Sequence, residues 1–309
     1  MSAARGPTTP GPSQAADATA LKAERAAQKA EGAARKANRA RREAFFLDAA
    51  ALTPYMAVAT ATGETFFVST SDLGIGKRVF VHARRKDMDV LACAMGFLAE
   101  LGPAMPAEPM LVEVGGNIGT TTVTALRQHA FSSAVVLEPS PQNRRLLRAN
   151  LVVNDLDDRV RVVPAAASDR KQELEFDVSH HNSGTHRVPP PDVGPLGDAV
   201  LSVQAVTLDS LVDDGVVDPS RVGLVWIDAA GHESNVLAGA SKLLERGVSV
   251  VTAIKHGWPE TVAGVLSTLK AHYTDVAELR YLRTSCPVGE IDELLAPLGR
   301  STDVLAVRR

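Results

Sequence analysis

Three short stretches of this 309-residue chain hold the residues whose types and spacing could do chemistry. In "VEVGGNIG" (112–119) an apolar run carrying Glu113 passes into a turn with Gly115, Gly116, Asn117 and Gly119. In "LEPSP" (137–141) Glu138 closes a second apolar run, 19 residues after Gly119. In "DAAGHE" (228–233) Asp228, His232 and Glu233 fall within six residues. Glycines at such a turn let a ligand approach the backbone with no Cβ in the way. A carboxylate placed like Glu138 suits both hydroxyls of an adenosine ribose. Asp228, His232 and Glu233 add two carboxylates and an imidazole, the groups that most often move protons.

Glycines and ribose acid alone leave hydride, phosphate and methyl chemistry open, because NAD and S-adenosylmethionine share the ribose. A Walker A loop is excluded, since no Gly-Lys-Ser/Thr stands at the required spacing. Glu113 before the turn would repel a pyrophosphate and suits an amino group. That favours S-adenosylmethionine, which has a ribose, an adenine, an amino-acid tail and no phosphate. The bland alternative for Glu138 is a surface acid beside the helix cap at Ser140 and Pro141.

The elements that must position these residues follow from periodicity. Residues 111–114, 134–137, 159–167, 224–228 and 248–254 read as strands, and residues 120–130, 141–154, 233–247 and 260–273 as helices. Alternation of this kind means a parallel sheet with helices on both faces. Ligands then bind at the carboxyl ends of the strands, where strand order reverses. Two late strands, 277–283 and 303–309, flank "GEIDELL". Before this domain (108–309), residues 47–107 read as a small layer: a hairpin around Ala61-Thr62-Gly63, a loop and strand in "DLGIGKRVFVHARR", and a helix ending at Gly102-Pro103. Residues 1–20 are too poor in large apolar groups to order themselves. Residues 21–46 are rich in Ala, Lys, Arg, Glu and Gln and read as a helical arm.

Composition bounds the partners. The chain is 45% apolar with a formal net charge of −3, which gives no global reason to expect nucleic acid or an anionic membrane. Residues 1–43 hold nine lysines and arginines against four acids, about +5 locally. A nucleic-acid or membrane arm would need aromatics or large apolar residues between those charges, so a solvated helix is the favoured reading. Cys93 and Cys286 stand far apart and read as thiols of a reducing compartment. No stretch approaches the 18 or so apolar residues of a membrane span, and no apolar signal core opens the chain. The expectation is a cytoplasmic chain with no membrane span.

Five stretches, "VEVGGNIG", "LEPSPQNRRLLRANLVVND", "VVPAAASD", "TLDSL" and "WIDAAGHESNVLAGA", occur in this order at fitting separations. Together they resemble the FkbM family of S-adenosylmethionine-dependent methyltransferases, usually O-methyltransferases of sugars, polyketides and related natural products. The match spans about residues 75–255. It implies a Rossmann-like class I methyltransferase fold, an α/β architecture with a seven-stranded, mostly parallel sheet ending in an antiparallel hairpin, here with an N-terminal helical and β extension. By the same resemblance Glu113, Gly115, Gly116, Asn117 and Gly119 would hold the methionine end and Glu138 the ribose. Ala166, Ser168 and Asp169 would lie near the adenine, and Asp228 would face the methyl group and the acceptor.

Methyl transfer from a sulfonium needs alignment of the acceptor oxygen and, for an alcohol, removal of its proton. Asp228 is the candidate for positioning the acceptor, and His232 or Glu233 for the proton. The alternatives are a solvated His232 and a Glu233 that caps the following helix. The chain departs from the family pattern at Trp226, where Lys is usual, and at Ala230, where an acid is usual. His180, His181 and His186 match no standard zinc spacing, and no metal is expected. The family's Ser-Gly loop at this place suggests a lid on the acceptor side. The expected partner is a small-molecule acceptor with a hydroxyl. Two other readings stay open: a degenerate methyltransferase fold that only binds, motivated by Trp226 and Ala230, and a nicotinamide-dependent oxidoreductase. The latter lacks a third glycine at the required spacing and a Tyr-x-x-x-Lys.

Overall fold

The apolar runs expected as strands do pair into one sheet. In a computed structural model, residues 12–84, 86–189, 194 and 196–309 are described. The chain starts with a long helix, α1 (Pro12–Ala49). It begins inside the segment read as a disordered tail; Pro12 sits at its first position, and Ala15, Ala16, Ala18 and Ala20 favour a helix more than their small size suggested. Residues 1–11 of that expected tail lie outside the described residues. β1 (Tyr55–Ala59) and β2 (Thr65–Ser69) form the expected antiparallel hairpin. Where a loop and strand were expected next, the chain forms a helix, α2 (Ile75–His82). The Asp72 carboxylate accepts the amides of Gly74 (2.9 Å) and Ile75 (3.0 Å) and so starts it. The expected helix α3 (Lys86–Leu101) follows.

The main sheet begins with β3 (Met110–Val114), α4 (Thr120–Gln128), β4 (Ser133–Leu137), α5 (Pro141–Val153) and β5 (Val160–Val163). The strand expected over 159–167 breaks at Pro164, which has no N–H to give to a ladder. Its far part becomes β6 (Ala166–Ala167) in a second sheet with β7 (Gln172–Val178) and β8 (Ala199–Val206). Next come α6 (Leu208–Asp213), β9 (Val222–Ile227), α7 (Glu233–Ala238), α8 (Ser241–Glu245), β10 (Val250–Ile254) and α9 (Pro259–His272). The single helix expected over 233–247 is thus two, parted at Gly239-Ala240, where a Cβ on Gly239 would overlap the Ser168 carbonyl. The chain ends with β11 (Asp275–Glu278), β12 (Ser285–Pro287), α10 (Ile291–Leu295) and β13 (Thr302–Val307).

The strand order is β12-β11-β13-β10-β9-β3-β4-β5, with β13 antiparallel to both β10 and β11. Without the short edge strand β12, an eighth strand that was not expected, this is the mostly parallel class I methyltransferase order. β11 ends at Glu278, earlier than expected, because its carboxylate gathers the amides of Arg280, Tyr281 and Leu282 into a turn. One core cluster joins α3, α4, α5 and the hairpin to one face of the sheet, and a second joins α6 to α9 to the other. The hairpin is tied on by two asparagines one helical turn apart, Asn150 on α5 and Asn154 at its C-terminal cap. Asn150 accepts from the Phe67 amide (2.6 Å) and donates to its carbonyl (3.2 Å), and Asn154 does the same to Thr65 (3.0 and 2.7 Å). The side-chain amides thereby complete the open edge of β2.

Candidate functional site

The sheet register assembles the site. Val114 lies level with Leu137 on one side and Ile227 on the other, so Gly115, Glu138 and Asp228 come next on three adjacent strands. The chain adds β4 and β5 on one side of β3 and β9 on the other, so the order reverses between β3 and β9. A cavity of about 770 Å³ opens at that reversal, lined by Gly115, Asn117, Glu138, Ala166, Asp228 and His232 among others. Gly115 (φ +86°) has no room for a side chain, since a Cβ would overlap the Asp228 carbonyl. Asn117 also takes a left-handed conformation (φ +48°), which Asn tolerates better than most residues.

Glu138 is buried, and its carboxylate accepts the amides of Asn117 (2.8 Å) and Ser140 (2.8 Å) and the Asn143 side chain (3.4 Å). Burial pushes its pKa up to about 7, against the lowering effect of those donors. A carboxylate offers about four acceptor positions, so acceptor capacity remains on a residue that lines the cavity. Ser140 still caps α5 through the Asn143 amide (3.4 Å). Glu138 is therefore not the surface acid of the bland alternative.

The other residues expected around the donor divide. Glu113 is buried and takes a hydrogen bond from Thr122 of α4; it is not among the described residues lining the cavity. The inward side of β3 carries it toward α4, so its repulsion of a pyrophosphate is not a property of the cavity. Gly116 and Gly119 lie against Val136 and Leu147, where a Cβ would collide, and pack the turn on the sheet and α5. Ser168 is buried outside the lining: its hydroxyl donates to Asp169 (2.9 Å) and meets His232 Nε2 (2.9 Å). Ser168 and Asp169 thus stand behind His232.

Asp228 is half-buried, and Lys255, just beyond β10, donates to it at 2.9 Å. The neighbouring Asp228 carboxylate raises the Lys255 pKa well above its ordinary value. A cation thus reaches Asp228 from just beyond β10, while Trp226, where the family usually has Lys, is buried in the core. Ala230 lines the cavity in a left-handed conformation (φ +47°), next to Gly231 (φ +98°). His232 also lines the cavity, and burial lowers its pKa, leaving the ring neutral at pH 7. Ser168 spends its only proton on Asp169, so His232 Nε2 carries the hydrogen and Nδ1 is the basic nitrogen. Glu233 is fully enclosed and accepts the Gly231 amide (2.9 Å). Burial lifts its pKa to about 7, and its Oε1 has no partner among the described residues. It holds the turn from behind and is not among the described lining residues.

The histidine-containing loop folds over Asn117 and Asn143. Ser183 donates to Asp72 (2.6 Å), and Asn117 donates to the Ser183 carbonyl (3.1 Å). His186 lines the cavity, taking a hydrogen bond from Asn143 at Nδ1 (3.3 Å) and giving one to the Ser179 carbonyl (2.9 Å). This loop, expected as a lid, lines the cavity and meets the glycine turn at Asn117. Residues 190–193 and 195 beyond it lie outside the described residues. Asp72, Ser183, Asn143, Lys255, Arg39, Arg78 and Arg280 were not singled out from the sequence. They converge from separate elements with no shared spacing; only the Asp-x-Gly that starts α2 was a readable cap signal. The Thr-Leu-Asp stretch serves the scaffold: Thr207 caps α6, and Asp209 accepts the Lys242 amide of α8 (2.9 Å).

The family model of the Methyltransferase FkbM domain matches residues 113–282. The 2-O-methyltransferase NoeI of Sinorhizobium fredii (strain NBRC 101917 / NGR234) is 26% identical over 151 residues, 45% of this chain and 60% of that protein. The match thus spans less than two thirds of that relative. The crystal structure of methyltransferase FkbM from Methylobacillus flagellatus KT is 14% identical with a TM-score of 0.45, covering 74% of this chain and 52% of that one. An O-methyltransferase from Bacillus cereus, in complex with SAH, is 15% identical with a TM-score of 0.39, covering 75% and 96%.

Proposed function

The chain belongs to the FkbM methyltransferase family, and from that premise we propose that it methylates a hydroxyl of a small molecule with S-adenosylmethionine as donor. The observation that carries this reading is the register that brings Gly115, Glu138 and Asp228 side by side at one cavity. The residues present fit the donor: Gly115 and Asn117 would hold its methionine end, Glu138 its ribose, and Ala166 would wall the adenine side. When bound, S-adenosylmethionine supplies a methyl group on a cationic sulfur, so alignment of the acceptor matters more than activation.

Asp228, fixed by Lys255, accepts the hydrogen bond of the acceptor hydroxyl and orients its oxygen. His232 receives the proton on Nδ1, because Nε2 is spent on Ser168. Glu233 acts as a positioning residue, holding the 228–232 turn through the Gly231 amide. Ala230 leaves space where the family usually has an acid, which shapes the acceptor side and does not touch the proton path.

Calorimetry with S-adenosylhomocysteine tests the reading. One molecule should bind per chain, and Glu138→Ala should weaken binding roughly 10- to 100-fold, the loss expected for charge-assisted hydrogen bonds. Equal affinity in the variant, or tight NADH binding instead, would overturn it.

A further inference from the structure

Beyond the donor, the same cavity is lined by cations from three parts of the fold. Arg39 comes from α1, Arg78 from α2, Arg84 from the turn after it, and Arg280 from the loop after β11. Two of the arginines are already engaged, Arg84 with Asp89 and Arg280 with Asp303. Arg39 and Arg78 have neither an ion pair nor a hydrogen bond among the described residues. Of the acids lining the cavity, Asp89 is taken by Arg84 and Asp228 by Lys255, and Glu138 stands at the carboxyl edge of β4. The field is felt locally: burial first, then Arg39 and Arg78, lower the pKa of His82. Arg39 is held in place by the docking of α1, where Phe46 is fully buried, Arg42 donates to the Phe80 carbonyl (2.9 Å) and Lys77 pairs with Glu43 (3.0 Å).

Two unbalanced guanidinium groups at a partly enclosed cavity attract an anion, and their planar forks match an oxyanion. Resting on the methyltransferase reading above, we propose that the acceptor is a hydroxyl compound carrying a phosphoryl group, and that Arg39 and Arg78 hold that group. A phosphoryl dianion balances the charge of both guanidinium groups, which a single carboxylate does not. The basic arm thereby becomes a wall of the acceptor site.

The test is titration of the full-length protein, saturated with S-adenosylhomocysteine, with inorganic pyrophosphate. Pyrophosphate should bind, and R39A/R78A should weaken it at least about tenfold, while K22A/K29A, an equal loss of charge farther along α1, should not. S-adenosylhomocysteine affinity should stay within about twofold in both variants. Equal pyrophosphate affinity in R39A/R78A, or no binding to the wild type at millimolar concentration, overturns the proposal. So does a loss of S-adenosylhomocysteine affinity in R39A/R78A, which would give the arginines to the donor's carboxylate. Glucose 1-phosphate should also bind more tightly than glucuronate or glucose; glucuronate binding as tightly would overturn the phosphoryl assignment. If S-adenosylhomocysteine fails to bind the wild type, the methyltransferase reading falls, while pyrophosphate titration of the unloaded protein still reads the anion site.

Discussion

Glu138 and His232 owe their proposed roles to burial and to what their partners leave unspent. Glu138 has a pKa near 7 because desolvation outweighs its three donors. A ribose donates hydrogen bonds to the ionised form, so donor affinity follows deprotonation: it should fall about tenfold between pH 8 and pH 6, as a single-proton titration requires. A pH-independent affinity measured by calorimetry would contradict this. For His232 the sign is opposite in origin, since burial favours the neutral ring. Nitrogen NMR should find a ring that titrates below the ordinary 6.5 and carries its hydrogen on Nε2. A ring with its hydrogen on Nδ1, or a pKa above 6.5, would remove His232 as proton acceptor. Neither the enclosure of Glu138 nor the Ser168–His232 contact across 64 residues was legible in the sequence. The residue types were.

At the scale of elements, β3, β4, β9 and β10 were readable because strands buried on both faces are continuous apolar runs. α2 was not, because Val79, Phe80 and Val81 are residues that favour strands, and the helix is imposed by Asp72 and by packing under α1. β7 and β8 were missed because "QELEFDV" and "AVLSVQAV" form a small sheet with one face largely exposed. The asparagine ladder from α5 to β2 is the element-level tie that positions the N-terminal arginines over the cavity. Asn150→Ala would strand the Phe67 amide and the Phe67 and Ile118 carbonyls together. Leaving buried backbone groups unpaired costs about 1–3 kcal/mol, so urea unfolding should show a loss of that size. A change within about 0.5 kcal/mol would mean that water replaces the amide.

For the whole molecule, the parallel sheet and the place of the cavity followed from alternation and the reversal rule, and the seven-strand order came with the family resemblance. The end proposed for the donor lies at stretches the sequence singled out, Gly115 and Glu138. The acceptor end was not legible, since its cations gather from α1, α2 and the loop after β11, with no spacing to announce them. Residues 22 and 24–40 of α1 are exposed, and only the part near Arg39 meets the cavity. Removing residues 1–30 should therefore leave both S-adenosylhomocysteine and pyrophosphate binding unchanged, and removing residues 1–41 should cost pyrophosphate binding alone. Loss of donor binding in the shorter truncation would give the exposed part of the arm a role it lacks here. In the proposed function the β3–β9 crevice holds a methyl donor with its sulfur toward Asp228. A crystal structure with S-adenosylhomocysteine tests it most directly. The ribose hydroxyls should lie on Glu138, the amino-acid end at Gly115 and Asn117, and the sulfur should face Asp228. A ligand bound with its ribose away from Glu138, or outside this crevice, would contradict it.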